Sequence, residues 1–220
     1  MSLPWQDPSA DEKAGPGESL DPAFFRREVA VVARDLLGAR LVSTVKGIRT
    51  SGVIVETEAY GGPEDPASHA AVRRGRTERN AAMFGPPGRA YVYLIYGMHW
   101  CLNVVTGTEG RPPAVLLRGL EPLEGAEAMA RRRGRRSPLA AGPGNLARAL
   151  GVDGTLYGHD LRHEPLHVGP GWSVESDRVE VTGRIGVGAA AHRPLRFLVR
   201  GSPGVSRGRP ARPAGGPEAS

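Results

Sequence analysis

Between positions 21 and 38 the apolar residues recur at helical spacing. Phe25, Val29, Val32 and Leu36 share one face, Asp21 and Pro22 supply an N-cap and a first helical residue, and Gly38 follows as a stop. One helix is predicted there. The period then shortens to two. ARLVSTV (39–45) and SGVIVETEAY (51–60) alternate around Lys46-Gly47 and predict a β-hairpin. AYVYLIY (90–96), HWCLNVV (99–105) and PAVLLRGL (113–120) predict three more strands, and RVEVTGRIGVG (178–188) and LRFLVRG (195–201) two late ones. Residues 123–133 and 143–150 return to helical patterning, the second closed by Gly151. The order of elements predicts a single α+β domain with a largely antiparallel sheet. No internal repeat is visible.

Residues 1–20 and 207–220 are rich in Pro, Gly, Ser and charge. They bury too little apolar surface to offset ordering entropy, and disordered tails are expected around a domain of residues 21–206. No apolar run reaches the ~20 residues of a membrane span, and the first residues lack a signal-peptide pattern. A soluble cytoplasmic protein is expected, nucleoid-associated if bacterial, with no membrane partner. The single cysteine, Cys101, excludes an internal disulfide and any multi-cysteine metal site. A net charge of +6 and a pI near 10.1 favour an anionic partner such as nucleic acid. The bland alternative is a GC-rich coding bias, since Gly (31) and Pro (20) are also abundant.

Strict alternation in VIVETEAY puts Ile54, Glu56, Glu58 and Tyr60 on one face and Val53, Val55, Thr57 and Ala59 on the other. Carboxylates inside an apolar strand are costly unless paired, and a desolvated one is a candidate general base. A solvated outer face is the alternative. The next loop carries Glu64, Asp65 and His69, which leaves a metal-dependent nuclease open as a competing reading. In YVYLIYGMHWCLNVV the predicted reversal falls on Tyr96-Gly97-Met98, although hairpin tips are usually polar. An exposed apolar tip on a basic protein fits a minor-groove wedge, with Tyr96 entering the base stack and Met98 assisting. Cover by another part of the fold, or an oligomer contact, is the other reading. On the strands, Tyr91, Tyr93 and Ile95 share a face, as do His99, Cys101 and Asn103. Tyr93 is placed to stack on a flipped base or to pack in the core, and Asn103 to read a base edge.

Five ordered blocks, VETEAYGGPEDPASHA, RNAAMFGPPGRAYVYLIYGMHWCLNV, AVLLRGLEPLEG, AGPGNLARALGV and LRFLVRGSPGVS, together resemble the alkyladenine (3-methyladenine) DNA glycosylase family over about residues 24–206. The resemblance implies a curved antiparallel sheet flanked by helices, a protruding β-hairpin, minor-groove binding, base flipping and hydrolysis of the N-glycosidic bond. It implies Glu58 as the water-activating carboxylate with Arg118 beside it, Tyr60, His69 and Tyr93 around the flipped base, Asn103 against guanine's amino group, and Tyr96 as the intercalating residue. The expected substrate is double-stranded DNA carrying alkylated or deaminated purines, handled by a monomer with no metal or other cofactor. Schiff-base chemistry needs an amine. The only lysines are Lys13, in a predicted tail, and Lys46, at a predicted turn, so a monofunctional enzyme is expected. The arginine run at 131–136 is a candidate phosphate contact or a solvated helix end. A non-catalytic nucleic-acid-binding module is the second competing function.

Overall fold

Asp21 opens the fold as its carboxylate accepts the Ala23 N–H at 2.7 Å, with Pro22 in the first helical position. The computed structural model describes residues 18–70, 75–188, 190 and 192–208. Residues 1–17 and 209–220, most of both predicted tails, lie outside the described residues. The first helix does not run through to Gly38. α1 (Pro22–Phe25) ends after one turn, and α2 (Val29–Asp35) restarts at Glu28, whose carboxylate accepts from the Ala30 and Val31 N–H groups. The apolar pattern misses this break because Phe25, Val29, Val32 and Leu36 enter one core cluster on both sides of it.

β1 (Arg40–Ser43) and β2 (Thr50–Tyr60) form the predicted hairpin. β3 (Ala90–Ile95), β4 (His99–Val105) and β5 (Ala114–Glu124) follow. Then come α3 (Ala126–Arg133), α4 (Pro143–Leu150), β6 (Leu166–Gly169), β7 (Val179–Thr182) and β8 (Arg196–Val199). The strands make one curled sheet of order β3-β4-β5-β2-β1-β6, with β8 pairing the far half of β2 and β7 pairing β8. Every pairing is antiparallel, as the sequence predicts. The helix expected over 123–133 begins later, because β5 runs on through Glu124 and turns at Gly125. Gly125 has φ 69°, and a Cβ there would lie 2.5 Å from the Arg49 carbonyl oxygen. β6 was not predicted.

β2 is the spine of the sheet, buried at every residue from Thr50 to Ala59. Val53, Val55 and Ala59 enter the main core. Each such valine contributes roughly 1.5–3 kcal/mol on burial. Thr57 is tied to α2 through its hydroxyl, which donates to the Ala33 carbonyl at 2.7 Å. With those alternate positions spent on the core, Glu56, Glu58 and Tyr60 are left for the opposite face of the strand.

Candidate active site

Two register shifts build the centre of the site. Along β2 and β5, Ile54 pairs Leu120, Glu56 pairs Gly119 and Thr57 pairs Leu117, so Val55 on one strand and Arg118 on the other lack an opposite residue. A bulge twists the strand and re-aims the extra side chain. Here the guanidinium of Arg118 lies between two carboxylates: Nε donates to Glu56 Oε1 at 3.1 Å and Nη1 to Glu58 Oε2 at 3.3 Å. Glu56 also accepts from Arg196 Nε (2.7 Å), Ser206 Oγ (2.8 Å) and the Ser206 N–H (2.6 Å). A second cation thus balances Glu56, and Arg118 can serve Glu58 without leaving a buried charge unpaired. Ser206 reaches this position because Gly119 and Gly204 meet closely: a Cβ on Gly119 would lie 2.5 Å from the Gly204 carbonyl oxygen.

Glu58 is fully buried, which overturns the solvated-face alternative. It accepts from the Tyr60 hydroxyl at 2.8 Å and from the Ile185 N–H at 2.7 Å. Burial pushes its carboxyl above the ordinary range, while Arg118, Ile185 and Tyr60 pull it back down. Burial and the charge of Glu58 push the Tyr60 phenol well above its ordinary value, so it stays protonated as a donor. Behind Tyr60 stands Arg184, fully buried, its guanidinium 4.7 Å from the ring centroid. Arg184 donates to both oxygens of Asp65 and to the Ala59 carbonyl at 2.8 Å. This anchor fixes the adjacent Ile185 N–H on Glu58.

A cavity of about 430 Å³ adjoins these groups, bordered by Tyr60, His69, Tyr93, Asn103, Arg118 and Ile185 among others. Glu58 is not on its surface; the residues that hold Glu58 are. Tyr93 stacks on Tyr91 with centroids 5.3 Å apart and meets His69 edge-on at 4.4 Å. His69 Nδ1 lies 2.8 Å from the Tyr91 hydroxyl. Asn103 donates to the Tyr91 carbonyl at 3.0 Å. Burial raises the Tyr91 phenol to about 12 and pushes Tyr93 up as well, so both rings are neutral.

Tyr96 also borders the cavity, at the turn between β3 and β4, with 83% of its surface exposed and φ 52°. A tyrosine in the left-handed region is uncommon. Met98 is 72% exposed. The alternative in which another part of the fold covers this tip is not what the described residues show.

The six residues predicted around the base and its acid, Glu58, Tyr60, His69, Tyr93, Asn103 and Arg118, therefore come together, with Tyr96 at the rim. Glu64 does not border the cavity. Asp65, offered above as a metal ligand, has both oxygens on Arg184, and among the described residues no group of three His, Cys, Asp or Glu side chains is placed to hold a metal ion. Although burial opposes it, the Arg184 guanidinium holds Asp65 below its ordinary value. Sequence reading missed Arg184, Arg196, Ser206 and the Ile185 N–H, and left Glu56 without a role. The arginine run is divided in its uses: Arg133 donates to the Leu139 carbonyl, Arg132 to that of Ala149 and Arg135 to that of Ser137.

The Tyr60 hydroxyl lowers the Glu58 pKa, so Tyr60→Phe should raise it. If Glu58 acts as an ionised base, acidification then protonates it already at a higher pH, and the acid limb of the pH–rate profile should move upward relative to wild type. An unmoved limb would show that Tyr60 does not tune the carboxylate.

Comparison with known proteins agrees with this geometry. Residues 23–203 match the family model described as methylpurine-DNA glycosylase. A protein of Methanoculleus marisnigri is 48% identical over 194 residues, covering 86% of this chain and 99% of the relative. One of Rubrobacter xylanophilus is 54% identical over 168 residues, covering 76% and 86%, and one of Salinibacter ruber 46% identical over 209, covering 90% and 100%. Each of these relatives is described, provisionally, as a 3-methyladenine DNA glycosylase. A match of this extent, over a sheet that buries a glutamate behind an aromatic cavity, places the chain in the methylpurine-DNA glycosylase family.

Proposed function

We propose that the protein is a monofunctional DNA glycosylase of base excision repair, which extrudes alkylated or deaminated purines of the 3-methyladenine, 7-methylguanine and hypoxanthine type from duplex DNA and hydrolyses the N-glycosidic bond. The observation that carries this reading is the buried Glu58 carboxylate, held by Tyr60, Arg118 and Ile185 just behind the wall of a cavity whose rim bears the exposed Tyr96. The relatives' names point the same way.

Extrusion of a nucleotide costs a few kcal/mol, and least where a lesion already weakens pairing. Tyr96, assisted by Met98, fills the vacated stack, and the base enters the cavity beside Tyr60, His69 and Tyr93, with Asn103 against its edge. Water at the junction of Tyr60, Arg118 and Ile185 attacks C1′ and gives its proton to Glu58 as the bond to the base breaks. Arg118 opposes the upward push of burial on Glu58 and so favours its anionic form before the attack, and the carboxylate stabilises the oxocarbenium-like sugar. A purine alkylated at N3 or N7 is cationic and departs as a neutral base, which makes it a better leaving group and a better partner for electron-rich rings, whereas hypoxanthine takes up a proton from solvent as it departs. Release of the base leaves an abasic site. Lys46 borders a different cavity, in keeping with hydrolysis by water rather than attack by its amine, and Lys13 lies outside the described residues.

The test is incubation with duplex oligonucleotides carrying 7-methylguanine or hypoxanthine in the presence of EDTA. Free base and alkali-labile sites are expected, with no strand break before alkali and no adduct trapped by borohydride. Strand cleavage that EDTA abolishes would make the protein a metal-dependent nuclease. Binding without release would make it a non-catalytic module.

A further inference from the structure

The turn at Tyr96-Gly97-Met98 separates two cavities. Tyr96 borders the one described above, whereas Met98, His99 and Trp100 border a second, of about 390 Å³. Three cations line this second cavity: Lys46 from the β1–β2 turn, Arg132 near the end of α3 and Arg148 near the end of α4. Against them stands one acid, Asp153, with an oxygen occupied by the Thr155 N–H at 2.9 Å and the Thr155 hydroxyl at 2.6 Å.

Among the described residues none of the three cations forms a salt bridge, although Arg118, Arg184 and Arg196 each do. Arg148 donates through Nε to the Arg132 carbonyl at 2.6 Å, which holds the side chain while its terminal nitrogens make no hydrogen bond among the described residues. Arg132 is held in turn by the Ala149 carbonyl at 2.9 Å. Gly151 leaves room for it, since a Cβ there would lie 3.1 Å from the guanidinium carbon. Lys46 sits at φ 57°, a backbone conformation that a lysine adopts only with some strain. Three cations facing a single acid leave an excess of positive charge, and an anion placed among them relieves it.

We propose that this cavity is a phosphodiester subsite for the DNA strand opposite the extruded nucleotide. The inference rests on the functional reading above. If the Tyr96 turn enters the duplex and the first cavity receives a nucleotide from one strand, then what faces the second cavity, across the same turn, is the partner strand. Arg148 and Lys46 meet a phosphate there, Arg132 adds its field, and Met98 and Trp100 offer apolar contact to the sugar. The enzyme thereby grips both strands at the point where only one is opened, and the pull on the intact strand resists re-stacking while the flipped nucleotide is processed.

The experiment measures the affinity for duplex DNA containing a stable abasic analogue as a function of salt, for wild type, Arg148→Gln, Arg148→Lys and Lys46→Gln. Loss of one phosphate contact lowers the log–log salt slope by about 0.9, so the advantage of wild type over Arg148→Gln or Lys46→Gln should shrink about 3.5-fold between 50 and 200 mM salt. Arg148→Lys, which keeps the charge, should recover the slope. The same measurement on duplexes with neutral methylphosphonates opposite the lesion should erase the difference between wild type and Arg148→Gln. Unchanged slopes in both neutralising variants would overturn the proposal. So would a difference that methylphosphonates erase only when placed in the lesion strand. Base release by the wild-type protein is scored separately: release with unchanged slopes removes the subsite alone, whereas no release from any lesion duplex removes the functional reading.

Discussion

Replacing Glu58 by glutamine is expected to slow base release on the order of 10³-fold, within the 10²–10⁴ range that general-base catalysis supplies. The substitution keeps the shape of the side chain but replaces one accepting oxygen by a donor and removes the charge and the proton acceptor of the proposed mechanism. Arg118 then remains paired through Glu56 and the Tyr60 hydroxyl can donate to the amide oxygen, while the Ile185 N–H loses its acceptor, so the folding stability of the variant is measured alongside. Single-turnover release from a lesion duplex reads the chemistry, and binding to an abasic analogue reads docking. Residual release within tenfold of wild type would remove Glu58 as the base and turn attention to the second carboxylate on the strand.

The other large effect falls on stability. Arg184→Met leaves the buried carboxylate of Asp65 without its cation, and breaking a buried pair in this way costs about 3–5 kcal/mol. Chemical denaturation should show that loss, and adding Asp65→Asn should recover part of it, because a neutral amide carries no uncompensated charge while its oxygen can still accept from the Gly61 or Ala67 N–H. A single variant within about 1 kcal/mol of wild type would mean that water reaches the pair. The pH dependence has a definite sign. Asp65 has its pKa lowered in the folded chain, so its contribution is present above the ordinary aspartate pKa and declines as the pH falls through the lowered value. Because Arg184 also holds the Ile185 N–H against Glu58, partial activity loss should accompany the stability loss.

Most of the fold was legible because sheet periodicity is local. Alternation in β2, β3 and β4 puts Glu58, Tyr60, Tyr93 and Asn103 on particular faces, and the apolar residues at a turn mark Tyr96 before any coordinates are consulted. Failures occurred where non-local contacts decide. Glu28 breaks the first helix by a capping bond that an apolar pattern does not register. Leu166–Gly169 becomes a strand because β1 offers an unpaired edge, and its four residues carry little pattern of their own. Arg184 and Arg196 look like any of the chain's many arginines, and their partners Asp65 and Glu56 lie 119 and 140 positions away. The bulge that turns Arg118 toward Glu58 leaves no trace in the alternation of AVLLRGL; the assignment of that arginine came from the resemblance alone.

The charged cluster around Glu56 has a consequence for how the protein is made. Its members arrive in the order Glu56, Glu58, Arg118, Ile185, Arg196 and Ser206, spanning 150 positions, and the last of them docks on the first. A nascent chain emerging from the ribosome has synthesised its acid long before it possesses the groups that neutralise and orient it. On the proposed reading, a chain stalled or clipped ahead of residue 184 lacks Ile185, Arg196 and Ser206 and is expected to be an inert fragment rather than an unregulated source of abasic lesions.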